Sequence, residues 1–218
     1  MSASREAGRP GLHVLADDDP RWPHDPVVQA EAAVAGGAAV VQLRAKHASD
    51  RQVLAWATRI RAATRRAGVL FVVNDRFDLA LAAEADGVHL GQEDLPPERI
   101  PAAVRARLQI GRSTHDPAEL ARAAGEPVDY VAFGPVFGTA SKAISSAAPG
   151  LEGLRRAVAT AAPRPLVAIG GIGVDEAAAV AGTGAAGLAV ISAVAGATDP
   201  EAAVRALVEA LGPRRVTP

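Results

Sequence analysis

A (β/α)8 barrel filling the chain as a single domain is the fold the sequence predicts, on three observations. Eight short apolar runs punctuate the 218 residues. Helix-like, Ala- and Arg-rich segments separate them, and alternation of strand with helix at roughly 20 to 30 residues per unit marks a parallel sheet. The first run, GLHVLAD, leads into DDP rather than the GxGxxG expected of an open dinucleotide-binding sheet. Eight units in this length match a closed barrel.

The runs come in this order: GLHVLAD from Gly11, AVVQLRAK from Ala39, VLFVVNDR from Val69 and GVHLGQED from Gly87. Then come LQIGRSTHD from Leu108, DYVAFGPVF from Asp129, PLVAIGGI from Pro165 and GLAVISAV from Gly187. Between them, DRQVLAWATRIRAATRRAG and DPAELARAAG carry helical periodicity, with Asp50 and Asp116 as expected N-caps. The connection PPERIPAAVRARL is the least regular. Residues 1–10 and 212–218 are expected to be flexible tails.

Composition excludes several classes. Hydrophobic residues make up 49% of the chain and aromatics 3%, so Ala, Val, Leu and Ile must build the core. No cysteine is present, which removes disulfides, thiolate metal sites and a Cys nucleophile. Lys plus Arg is 23 against 24 Asp plus Glu, a balance that gives no reason to expect nucleic-acid or membrane binding. The N-terminal stretch MSASREAGRPG lacks the apolar segment of a secretion signal, so a cytoplasmic location is expected. A homo-oligomer stays open.

In such a barrel, chemistry gathers where strands end. The strand ends here carry Gln42-Leu43-Arg44-Ala45-Lys46, Asn74-Asp75-Arg76, Gly91-Gln92-Glu93-Asp94 and Ser113-Thr114-His115. Later ends carry Thr139, Ser141 and Lys142, then Gly170-Gly171, then Ile191-Ser192. Gln42, Arg44 and Lys46 share one parity with Val40, so they face the barrel axis while Val41 and Leu43 face the helices. Three cations, Arg44, Lys46 and Lys142, with two acids, Asp75 and Asp94, suit a polyphosphate bridged by Mg²⁺. Gly170-Gly171 and the segment opening at Ser192 suit a second anion, where barrels commonly bind phosphate. Each feature has a plainer reading alone: an Asp as a cap, a Gly pair as a turn. His13, His24, His47 and His89 read as surface or packing residues, Trp22 and Trp56 as packing, and Arg76 as the neutraliser of a nearby acid.

QLRAK, NDR, DGVHLGQED, GRSTHD, GPVFGTASK, AIGGI and GLAVISA, in this order, resemble the thiamine phosphate synthase family from the first strand to Val194. The resemblance implies a (β/α)8 barrel that couples a hydroxymethylpyrimidine diphosphate with a thiazole phosphate. The products would be thiamine phosphate and pyrophosphate, formed dissociatively with Mg²⁺. It implies that Gln42 binds the pyrimidine, that Arg44, Lys46, Asn74 and Lys142 hold the diphosphate, and that Asp75 and Asp94 ligate the metal. Ser113 would sit near the diphosphate and the pyrimidine amine, making Ser113, Lys142 and Arg44 the catalytic set. Thr139, Ser141, Gly171, Ile191 and Ser192 would meet the thiazole phosphate. The loop Gly138-Thr139-Ala140-Ser141-Lys142-Ala143 departs from the family: it lacks a Pro before Thr139 and a Lys after Lys142, and has Ser141 for Thr. The adjoining AISSAAPG is expected to act as a mobile lid. The alternatives are a thiazole tautomerase of the same fold, in which His115 would matter, a non-catalytic thiamine-phosphate-binding barrel, and a sugar-phosphate isomerase.

Overall fold

The structure, a computed structural model, describes residues 10–138 and 148–212. The tails expected at the two ends fall almost wholly outside these residues, as do Thr139, Ser141, Lys142 and most of the expected lid.

Eight parallel strands close into a barrel in chain order. They are β1 (Gly11–Asp17), β2 (Val40–Arg44), β3 (Leu70–Asn74), β4 (Gly87–Leu90), β5 (Gln109–Thr114), β6 (Tyr130–Phe133), β7 (Leu166–Ile169) and β8 (Gly187–Val190). Helices α1 (Pro26–Ala35), α2 (Asp50–Ala67), α3 (Phe77–Ala82), α4 (Ala102–Arg105) and α5 (Pro117–Ala123) come after the first five strands. After β6 and β7 come α6 (Gly150–Ala161) and α7 (Val174–Ala181), and after β8 the short α8 (Ser192–Ala195) and α9 (Pro200–Leu211). The irregular connection after β4 is a three-residue 3₁₀ turn and then the four-residue α4.

Local sequence sets many of the helix starts. Asp-Pro opens α1, α5 and α9: Asp25, Asp116 and Asp199 accept hydrogen bonds from the first-turn amides, and the Pro after each occupies a position needing no N–H. Asp116 is therefore the cap expected of it. Asp50 is not: Ser49 caps α2 one residue earlier, accepting from Gln52 N, and Gly68 closes the helix at φ 67°. Asp50 instead pairs with Arg76, whose Nη2 lies 3.0 Å from Oδ2, so Arg76 does neutralise a nearby acid.

The core separates into layers. Val41 and Leu43 pack with Val53, Ala57 and Ile60 of α2 in the large cluster between sheet and helices. Val40 packs with Ala39, Leu70 and Val72 in a small separate cluster. Leu15, Tyr130, Val167, Ala189 and Ile191 form a third, with Trp22 against it. The parity expected for β2 holds: one set faces helices and the other the barrel axis.

Candidate active site

The axis-facing residues change character along the strands. Val40 and Val72 are apolar, but His13, Gln42, His89, Gln109, Ser113 and Tyr130, which share the axis-facing parity of their strands, are polar. The histidines read as surface or packing from sequence divide: His13 and His89 are 3% and 6% exposed within the barrel, while His47 is exposed. His89 and Tyr130 flank Gly111 on neighbouring strands. Because Gly111 has no Cβ, the two side chains meet over it, with His89 Nδ1 3.0 Å from the Tyr130 hydroxyl. On its other side His89 Nε2 lies 2.9 Å from Ser113 Oγ. Burial, aided by the Asp129 charge, pushes the Tyr130 hydroxyl well above its usual range, so it stays protonated and can donate to Nδ1. With the proton on Nε2, His89 would donate to Ser113 and leave the serine's own proton for a ligand.

Gln42 stands beside this chain at 4% exposure, and its buried Oε1 has no hydrogen-bond partner among the described residues. An unpaired buried acceptor costs about 1–3 kcal/mol, so it is a place where a donor on a ligand gains most. Gln42, Arg44, Asn74, His89, Ser113 and Tyr130 share one cavity of about 400 Å³. It adjoins a recess of about 540 Å³ that also touches Ser113.

At the rim, β2 and β3 bring the charged groups together. Arg44 pairs with Asp17, and Lys46 with Asp75. Asp75 holds a left-handed backbone at φ 66°, uncommon outside glycine, and its amide donates to the His89 carbonyl at 2.7 Å. That turn aims its carboxylate at Asp94, which lies within hydrogen-bond reach. Burial pushes the Asp75 carboxyl up; Lys46 opposes the shift and Asp94 adds to it. Asp94 is itself anchored, accepting from Gly91 N at 2.6 Å. Two facing carboxylates, of which Asp75 is paired with Lys46, are electrostatically incomplete, and a hard cation would relieve both. Among the described residues no group of three or more His, Cys, Asp or Glu could hold a metal.

The wider recess belongs to β5–β8. Gly170, Gly171, Ile191 and Ser192 line it together with His115. Gly170 and Gly171 have φ of 101° and 67°, which turns the chain back over the strand end. Ser192 opens α8 as expected. The His115 ring is held there on one side: its amide and Nδ1 both bond Glu119 Oε2, at 2.7 and 2.9 Å.

Sequence reading assigned Asp17 and Tyr130 no role and marked His89 only as a surface or packing residue. His89 and Tyr130 lie before the ends of β4 and β6, whereas Asp17 ends β1 and falls under the strand-end rule itself. Period-2 parity would have flagged Asp17 and His89, since each shares its strand's axis-facing set.

Three comparisons with known proteins bear on the family of the chain. The family model described as "Thiamine monophosphate synthase" matches residues 12–194. The chain is 50% identical over 204 residues to a thiamine-phosphate synthase of Anaeromyxobacter dehalogenans, covering 93% of this chain and 88% of that one. It is 48% identical over 177 residues to a thiamine-phosphate synthase of Chloroflexus aurantiacus, covering 81% of each. Among solved structures, thiamine phosphate pyrophosphorylase from Pyrococcus furiosus superposes with a TM-score of 0.83 at 38% identity, over 94% of this chain and 96% of that one.

Proposed function

The chain belongs to the thiamine monophosphate synthase family, and we propose from that premise that it is a transferase joining a hydroxymethylpyrimidine diphosphate to a thiazole phosphate. The observation that carries this reading is the unpaired Oε1 of Gln42, buried in a cavity whose rim bears Arg44 and Asn74. A ring with an amine donor, carrying an anionic tail toward the mouth, answers both ends of that cavity.

In the reaction, the bond between the pyrimidine's methylene carbon and the diphosphate oxygen breaks. Its electron pair leaves with pyrophosphate, and the lone pair of the thiazole nitrogen forms the new C–N bond. Gln42 and the Tyr130–His89–Ser113 chain orient the pyrimidine. Arg44, Lys46, Asn74 and Lys142 stabilise charge on the departing oxygens, a role in which one prepositioned group contributes about 2.7–4 kcal/mol. Asp75 and Asp94 suit Mg²⁺, which when bound neutralises part of the diphosphate charge. Gly171, Ile191 and Ser192, with Thr139 and Ser141, hold the thiazole phosphate. Ser113, Lys142 and Arg44 are the catalytic groups. The reading carries a cytoplasmic setting and free small molecules as partners; no described helix is long and apolar enough to cross a membrane.

The test is thiamine phosphate formation from both substrates, with Mg²⁺ and with the metal chelated, in wild type and Asp75→Asn. Turnover should require the metal and fall by about 10²–10³-fold in the variant. Full turnover under chelation defeats the metal assignment, and thiazole tautomerisation without pyrophosphate release defeats the transferase.

A further inference from the structure

The sequence assigns no role to the end of β1, yet both cations of the β2 end are tied to it. Asp17 faces Arg44 across the β1–β2 register and is 2% exposed. One carboxylate oxygen takes Arg44 Nη1. The other accepts from Trp22 Nε1 at 2.8 Å and from Asp19 N at 3.0 Å. The Asp17 backbone is held too: Gln29, fully buried, accepts from its amide and donates to its carbonyl, both at 2.9 Å. Asp18 does a parallel task for the loop that carries Lys46. Its carboxylate accepts from three successive amides, Lys46 N at 2.7 Å, His47 N at 2.9 Å and Ala48 N at 2.8 Å.

We propose that Asp17 and Asp18 are positioning residues for the diphosphate-binding cations: Asp17 fixes the Arg44 guanidinium and Asp18 fixes the backbone beneath Lys46. The inference rests on the reading of Arg44 and Lys46 as diphosphate ligands. A guanidinium presents donors in a rigid fork, and a partner that holds one nitrogen aims the others. Asp17 is suited to this because its second oxygen is committed to Trp22 and Asp19, so the carboxylate cannot turn to follow the arginine. Prepositioned donors bind and stabilise a developing anion without reorganising for it.

The test is Asp17→Asn, which keeps the shape and one acceptor but removes the charge that orients Arg44. Calorimetric titration with pyrophosphate and Mg²⁺ should show binding weakened by about tenfold or more. The KM for the pyrimidine diphosphate should rise to match, while that for thiazole phosphate stays within about twofold. In an Arg44→Ala background the same change should add less than about twofold, because the group it acts through is gone. A general structural defect would instead raise both KM values together and persist undiminished without Arg44, and either result overturns the proposal. Tighter pyrophosphate binding, as expected if Asp17 merely competed for Arg44, overturns it as well. If Asp17→Asn does not fold, Asp18→Asn, at a partly exposed position, carries the same selective prediction. Wild type that binds pyrophosphate in this Asp17-dependent way but makes no thiamine phosphate would sink the transferase reading and leave the positioning role standing.

Discussion

Gly111→Ala offers a severe trial of how the cavity beside Gln42 is built. A Cβ on Gly111 would fall well inside 3.0 Å of Tyr130 Cζ and Oη and of His89 Nδ1, whereas ordinary contact begins at 3.4 Å. Tyr130 is 3% exposed and packed against Leu15, Val167 and Ala189, so its ring has nowhere to retreat without moving the strand layer. Overpacking of this kind costs about 1–3 kcal/mol. Separating Tyr130 from His89 removes a buried hydrogen bond worth about 1 kcal/mol more. A loss of about 2–4 kcal/mol in a chain of this length corresponds to a Tm lower by about 5–15 °C. Thermal unfolding by circular dichroism measures that shift. Because the same change releases Ser113 from its histidine, KM for the pyrimidine diphosphate should rise while the thiazole phosphate KM holds. A Tm within about 1 °C of wild type, or equal effects on both substrates, would refute the account of Gly111 as the gap over which His89 and Tyr130 meet.

Gly171→Ala should weaken thiazole phosphate selectively: the residue sits at φ 67°, and a Cβ would come 2.6 Å from the Gly138 carbonyl oxygen. Steady-state kinetics showing an unchanged thiazole phosphate KM would remove the recess from the site. Gln42→Met keeps the volume but deletes the unpaired buried oxygen. The metal-free protein should gain about 1 kcal/mol in urea unfolding while pyrimidine diphosphate binding weakens. A variant less stable than wild type would show that Gln42 is a packing residue. Asp75 titrates above the usual carboxyl range, so its folded state favours the neutral form. Its contribution to stability is present at low pH and is lost as pH rises through the raised value. Asp75→Asn should therefore raise the Tm of the metal-free protein at pH 7, with the gain vanishing below about pH 4. A gain independent of pH would point to the left-handed backbone, which Asn also tolerates, rather than to the charge.

Much of this was legible in the chain because the signals are local. A strand's parity depends only on counting by two, so VVQLRAK could place Gln42 and Arg44 on the axis and Val41 and Leu43 against helices without knowing any neighbour. Asp116-Pro117 announces a helix start from two adjacent residues. Even the error at Asp50 was local: Ser49 and Asp50 are both good caps, and the backbone at Ser49 decided between them. Strand ends bearing cations and acids could be gathered into one mouth because a parallel barrel puts every such end on the same face.

What only the tertiary structure decided are the partners across strands. Nothing in LHVLADDDP says that Asp17 will meet Arg44, 27 residues on, because that depends on the stagger of β1 against β2. The meeting of His89 with Tyr130, 41 residues away, depends on Gly111 lying between them on the intervening strand. Sequence determined which side chains face inward and at which end of the barrel. Register, a property shared by two strands and written in neither alone, determined which of them touch, and through those contacts which acids hold the cations in place.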